Sequence, residues 1–98
     1  MDEPVSVEGE FTPNPNAYKF TVNRDVTASR GQTFKSADEA ILSPLAQRLF
    51  AVPGVRTLFF LKDFITVGRA PDVQWETLVP NVESVIRGYF ESEPRRTA

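Results

Sequence analysis

The sequence predicts an α+β two-layer sandwich: a four-stranded, mainly antiparallel sheet with two helices on one face, in the order β-β-α-β-β-α. Three observations predict it. Tyr18, Phe20 and Val22 alternate with Lys19, Thr21 and Asn23, the period of two that marks a half-buried strand. Two runs rich in β-branched and aromatic residues, Val55 to Leu61 and Phe64 to Val67, are separated only by Lys62 and Asp63, a link short enough to demand an antiparallel hairpin. From Trp75 onward, Leu78, Val79, Val82, Val85, Ile86, Tyr89 and Phe90 recur at helical spacing. Each helix has a single apolar stripe, so both belong on the same face of one sheet.

Taken in order, Met1 to Glu10 is acidic, carries Pro4 and Gly9 and offers only scattered valines, so residues 1–10 are expected to form a flexible lead-in. The domain is expected over residues 11–90. Residues 91–98, with Pro94, Arg95 and Arg96, are expected to be a flexible tail. After the strand at Tyr18 to Val22, the polar stretch Asn23 to Gly31 leads to Gln32, Thr33, Phe34 and Lys35, which alternate again and predict a second strand paired with the first. Ser36 with Glu39 three residues on matches the capping box, in which each side chain satisfies the other's free backbone N–H, so a helical turn should start there. Ser43 before Pro44 repeats the start signal, with a hydroxyl N-cap and a proline at the first helical position. Leu45, Leu49 and Phe50 share one face of that helix, and Pro53 with Gly54 stops it. Beyond the hairpin, Arg69 to Asp72 breaks the strand pattern with Pro71. Asp72 is a candidate N-cap for the last helix, which Pro80 either kinks or splits. No internal repeat or low-complexity tract divides the chain.

A length of 98 residues and a mass of 11.0 kDa fit one domain, and 41% apolar with 24% charged residues is a globular balance. Trp, Tyr and Phe number eleven in total. Each aromatic buries about 150–250 Å² when interior, enough to hold so small a domain without disulfides. The sequence contains neither cysteine nor histidine. That removes zinc and cluster thiolates, cysteine nucleophiles, the Ser-His-Asp arrangement and the usual imidazole acid or base. A net charge of −2 and a pI near 5.1 are too acidic for a chain that neutralises phosphates, so no nucleic-acid partner is expected. The longest apolar stretch, Leu58 to Leu61, falls far short of the roughly 20 residues of a membrane span. Met1 is followed by Asp2 and Glu3 rather than a basic, then apolar, leader, and the expected location is the cytoplasm. A monomer is expected.

Several residues invite a functional reading beside a structural one. In Thr12 to Asn16, Pro13 and Pro15 fix φ while Asn14 and Asn16 present amides, as a partner-recognition loop would; the same residues equally make a turn whose amides bond backbone at the mouth of the strand. Lys19, on the wet face of that strand, can meet an acidic partner or simply be solvated. Phe59, Phe60, Phe64 and Ile65 exceed what one sheet face buries, because alternation sends Phe59 and Phe60 to opposite sides. Were the second face left uncovered, Leu58 and Phe60 would form an exposed apolar patch there, the kind of surface that binds partners; the alternative is that the N-terminal lead-in covers it. Asp63 is favoured by turn geometry alone, and the adjacent Asp38 and Glu39 are explained by capping. Trp75 at helical spacing reads as core. Arg24, Arg30 and Lys35 either gather into a weak basic patch or, as is the default for loop charges, are simply solvated.

The string Thr12-Pro13-Asn14-Pro15-Asn16-Ala17-Tyr18-Lys19-Phe20 resembles the opening of the Nfu N-terminal domain of Nfu- and NifU-type iron–sulfur scaffold proteins. Further stretches are similar to that family in the same order: Ser43-Pro44-Leu45-Ala46 with Leu49-Phe50, Pro53-Gly54-Val55 leading to Phe59-Phe60, Asp63-Phe64-Ile65-Thr66-Val67, and Trp75 with Leu78 and Pro80. The likeness covers roughly Phe11 to Phe90. It implies a small α+β domain that in longer members precedes a second domain, whose Cys-x-x-Cys thiolates hold a bridging cluster. No cysteine is available here for thiolate ligation. The donors that remain are carboxylates such as Asp63 and Asp72 or amides such as Asn14 and Asn16, whereas most protein iron sites add imidazole or thiolate.

Two functions follow as expectations. In the first, the chain is a non-catalytic interaction domain in iron–sulfur cluster assembly or delivery, binding no cofactor itself and docking a cysteine-bearing scaffold or client protein that carries the cluster. Its candidate contacts are Pro13, Asn14, Pro15, Asn16, Lys19, Leu58, Phe60 and Asp63. In the second, it is a small-molecule-binding domain or minor enzyme unrelated to iron–sulfur work, which would need a pocket between sheet and helices lined by carboxylates and amides. A third is a diverged domain that has left iron–sulfur work.

Overall fold

The computed structural model describes residues 5–26, 31–41 and 43–92. The elements are β1 (Val7–Phe11), β2 (Ala17–Val22), β3 (Gln32–Phe34), a 3₁₀ turn (Ala37–Ala40), α1 (Pro44–Phe50), β4 (Val55–Leu61), β5 (Phe64–Arg69) and α2 (Trp75–Ser92). The sheet has five strands in the order β1-β2-β5-β4-β3, and every adjacent pair is antiparallel. The α+β class with two helices on one face therefore holds, and the strand count rises from four to five.

The additional strand comes from the segment expected to lead in flexibly. Val5 and Val7 enter the core at 6% and 9% exposure. Between them the backbone N–H of Ser6 donates to Asn23 Oδ1 at 3.0 Å, and the N–H of Asn23 donates back to the Ser6 carbonyl at 3.1 Å. From the helix layer, Arg87 Nη1 donates to the Val5 carbonyl at 2.9 Å. Glu8 and Glu10 lie on the opposite face of β1, so the segment is acidic because its outer side is wet. At the other end of the chain the expected tail is helical through Ser92, and residues 93–98 lie outside the described residues.

The expected pairing of the Tyr18 strand with the Gln32 strand does not form. Both edges of β2 are occupied, by β1 through the short Thr12 to Asn16 loop and by β5, so β3 pairs with β4 at the far edge. The hairpin of β4 and β5 forms as expected, with Leu61 opposite Phe64. Its turn places Lys62 at φ 52°, the positive φ that a tight hairpin needs at its first central position. The turn also anchors the chain leaving β2, since the Lys62 carbonyl accepts from Val26 N–H at 2.7 Å and the Asp63 carbonyl from Val22 N–H at 2.8 Å.

The start signals behave differently from one another. Ser43 Oγ accepts from Ala46 N–H at 3.2 Å and Pro44 opens α1. Ser36 precedes the 3₁₀ turn but makes no side-chain cap; Glu39 reaches back one residue further, to Lys35 N–H at 2.7 Å. The last helix starts at Trp75 rather than directly after Asp72, with the Gln74 carbonyl accepting from Thr77 and Leu78. Pro80 lies inside one continuous helix. The N–H it lacks would have bonded Glu76, whose carbonyl sits in the exposed first turn. Gly54, at φ +102°, turns the chain from α1 into β4.

Phe20 and Val22 of β2, Leu58 and Phe60 of β4, and Ile65 and Val67 of β5 point to the helix side. They meet Leu45, Ala46 and Leu49 of α1 and Leu78, Val82 and Ile86 of α2 in one core. Full burial of each aliphatic or phenylalanine side chain is worth about 1.5–3 kcal/mol, which makes this layer the source of the fold's stability.

Candidate functional site

The helices cover one face of the sheet and leave the other open. Register decides which residues lie there: Leu58 faces Val67 and Phe60 faces Ile65, so all four share the covered side. Leu58 and Phe60 are 1% and 2% exposed and cannot make the apolar patch expected of them. The open face carries their neighbours instead. Phe59 and Phe64 are half-buried there with ring centroids 6.2 Å apart. Lys19 places its Nζ 4.5 Å from the centroid of the Phe64 ring and 3.8 Å from Glu10 Oε2.

A break in the β4 register aims a further side chain at this face. Val55 pairs with Arg69 and Thr57 with Gly68, leaving Arg56 as the extra residue of a bulge. Bulges of this kind re-aim side chains and recur beside functional sites. Here the bulge borders a trough of about 500 Å³, lined among others by Asn16, Lys35, Arg56, Thr57, Phe59 and Gly68. Its depth depends on Gly68: a Cβ there would lie 2.2 Å from Thr57 Oγ1. A third cation at the trough, Arg69, is held in place by neighbours, donating from Nη1 to the Val73 carbonyl with its guanidinium carbon 5.5 Å from the centroid of the Trp75 ring.

The Thr12 to Asn16 loop forms one end of the trough and is tightly bonded. Thr12 Oγ1 accepts from Asn14 N–H at 3.1 Å and lies 3.0 Å and 3.2 Å from the carbonyl oxygens of Asn14 and Ala17, which share its proton. Asn14 Oδ1 accepts from Asn16 N–H at 2.9 Å. The Asn16 carbonyl accepts from Arg69 N–H at 3.0 Å, and the Pro15 carbonyl from Trp75 Nε1 at 3.0 Å. The structural role of Asn14 is thus realised, and Asn14 and Asn16 remain exposed where they line the trough.

Of the residues singled out from the sequence, Asn14, Asn16 and Lys19 therefore reach the open face or its rim, with Pro13 and Pro15 exposed on the loop. Asp63 is exposed in the hairpin turn, at the other end of β5 from Gly68. Phe59 and Phe64, from the aromatic group that exceeds one face, are the members that lie on the open side, while Arg56 and Gly68 carry no such signal in the sequence. The sequence does carry a signal for the bulge: the inward positions Val55, Leu58 and Phe60 step by three and then by two, and a strand that keeps one face inward can take the odd step only through an extra residue.

Among the described residues no group of three or more His, Cys, Asp or Glu is placed to hold a metal ion. With neither thiolate nor imidazole in the sequence, the donor set does not fit an iron–sulfur cluster. Among the described residues no helix is long and apolar enough to cross a membrane.

A family model described as the N-terminal part of the scaffold protein Nfu/NifU matches residues 7–93, beginning where β1 begins. The chain belongs to the Nfu/NifU scaffold N-terminal family. Within it, this Nfu-type domain is 37% identical over 87 residues to the human mitochondrial NFU1 iron-sulfur cluster scaffold homolog, covering 88% of the chain and 34% of that protein. It is 33% identical over 86 residues to mitochondrial NifU-like protein 5 of Arabidopsis thaliana, covering 88% of the chain and 31% of that protein. The chain thus spans about a third of the length of these two relatives. Among solved structures, the NifU-like protein of Saccharomyces cerevisiae superposes with a TM-score of 0.78 at 27% identity, covering 93% of this chain and 84% of that one. The crystal structure of Staphylococcus aureus SAV1430 superposes with a TM-score of 0.71 at 29% identity, covering 86% of this chain and 99% of that one.

Proposed function

We propose that this domain is a non-catalytic accessory module of iron–sulfur cluster assembly or delivery, which docks a cysteine-bearing scaffold or client protein while the partner holds the cluster. Membership of the Nfu/NifU family carries the reading. The donor chemistry sharpens it: cluster iron takes thiolate ligands, the chain supplies none, and its contribution must then be made through a surface. The open sheet face supports the reading as a place for contact, because two phenylalanines stand beside cations on a side the helices leave bare.

The test is cluster transfer from a Cys-x-x-Cys carrier to a client apoprotein under anaerobic conditions, with and without this chain, followed by visible absorbance. Acceleration that saturates with chain concentration is the expected result. Transfer at an unchanged rate, with no complex detectable with carrier or client, would overturn the proposal.

A second reading, a small-molecule site, draws on the volume of the trough, about 500 Å³ and in the range of such sites, although the trough lies on the open sheet face rather than between sheet and helices and its described lining has amides but no carboxylate. Such sites enclose their ligand, whereas this one is a dip on a single sheet face. A metabolite retained stoichiometrically through purification would favour it.

A further inference from the structure

We propose that the trough on the open sheet face docks an extended acidic segment of the protein partner, with Arg56 and Lys35 meeting its carboxylates and Phe59 its apolar side chains. The inference rests on the docking role above and names the chemistry of what is docked.

Charge carries the argument. Among the described residues, the trough lining includes Lys35, Arg56 and Arg69 and no carboxylate. Among the described residues, Lys19 is engaged by Glu10 and the Phe64 ring, Arg87 by Glu83 at 3.0 Å, Arg48 over Tyr89, Arg24 over Phe90, and Arg69 by Val73 and Trp75, while Lys62 is exposed in the β4–β5 turn at the end of the hairpin remote from the trough. Among the described residues Lys35 and Arg56 have no ion-pair partner, and both are exposed. The neighbouring Glu39 directs its carboxylate to the backbone N–H of Lys35. Two uncompensated cations flanking a half-buried phenylalanine, on a chain whose net charge is −2, form a local exception to the overall sign. Charges so arranged select partners and set encounter rates more than they add affinity.

A second copy of the chain is a poorer occupant. Among the described residues, the carboxylates that the strands place on the open face are Glu8 and Glu10 of β1, and Glu10 already faces Lys19. One free carboxylate would then meet two free cations.

The experiment titrates the chain with octaglutamate and, separately, octalysine at low ionic strength, reading backbone amide shifts. Octaglutamate is expected to move the amides of Thr33, Lys35, Arg56, Thr57, Phe59 and Gly68, with affinity at least tenfold lower in the Lys35→Gln/Arg56→Gln double variant. Both side chains are exposed, and the dispersion of the variant's spectrum checks that the fold is kept. Equal shifts with octalysine, unchanged affinity in the double variant, or shifts confined to the helix layer would overturn the proposal. So would concentration-dependent shifts of these amides without peptide, which would mark a second copy as the occupant. The two readings fail separately. Octaglutamate binding at the trough without accelerated cluster transfer upholds the docking surface and sinks the iron–sulfur role. Transfer accelerated equally by the double variant upholds that role and sinks the trough.

Discussion

Trp75 Nε1 donates to the carbonyl of Pro15 at 3.0 Å, joining the first turn of α2 to the Thr12 to Asn16 loop across 60 residues of chain. The same indole packs against Tyr18 with ring centroids 5.3 Å apart. One side chain therefore adds a long-range tie to a loop that also holds itself through Thr12 and Asn14. Trp75→Phe removes the donor and keeps an aromatic ring, so it is expected to lower stability by about 1 kcal/mol, the net worth of one hydrogen bond. Urea denaturation should show a lower midpoint at unchanged slope, with faster amide exchange at Asn16 and Ala17. An unchanged midpoint together with unchanged exchange would show that the loop is held by its own bonds alone.

Gly68 and Thr57 are coupled by space. A Cβ on residue 68 meets Thr57 Oγ1 at 2.2 Å, while the next atom of that side chain, Cβ, is at 3.5 Å, an ordinary contact. Gly68→Ala alone is expected to destabilise the chain by about 1–3 kcal/mol through overpacking. In a Thr57→Ala background the same change is expected to be neutral or to stabilise by about 0.4–1 kcal/mol, because alanine restricts the unfolded chain. A double-mutant cycle showing strict additivity contradicts the coupling.

Ser43 and Ser36 look alike in sequence and differ in structure. Ser43→Ala deletes the hydroxyl that accepts from Ala46 N–H and is expected to cost about 1 kcal/mol. Ser36→Ala deletes a hydroxyl that makes no cap, so thermal or chemical melts should scarcely move. Equal losses at the two positions would refute the distinction.

Those two serines also show what was legible in the sequence. Local signals read well: the β4–β5 hairpin from its two-residue link, the Ser43–Pro44 start, and the stripe of Leu78, Val82 and Ile86. Choices between distant segments did not. Val5, Val7 and Phe11 alternate with Glu8 and Glu10 around Gly9, a strand pattern diluted by acids and glycine that becomes convincing only once β2 offers an edge. The partner of β3 depended on β2 being occupied on both sides. The inward face of β4 was set by its register with β5, so alternation alone split Phe59 from Phe60 without saying which was covered. In the candidate site, Asn14, Asn16 and Lys19 were visible because loop and strand chemistry single them out. Arg56 was not, because its placement comes from a bulge defined by a partner strand.

Lys62 adopts φ 52°, a region that disfavours a side chain with a Cβ. Lys62→Gly is expected to raise stability by about 0.5–1 kcal/mol, the relief of a left-handed residue less the added freedom of the unfolded chain. A decrease on substitution would show that the lysine side chain contributes contacts outweighing its backbone strain. Thermal denaturation of the pair decides the sign.

We propose that the cluster this domain serves is ligated outside residues 1–98. The most direct test is metal and sulfide analysis of the purified chain, alone, after anaerobic incubation with ferrous iron and sulfide and removal of excess. The expected result is far less than one iron per chain and no visible charge-transfer absorbance, since no thiolate is present to ligate a cluster. A stoichiometric cluster, or one tightly held ferrous ion per chain, would contradict the account.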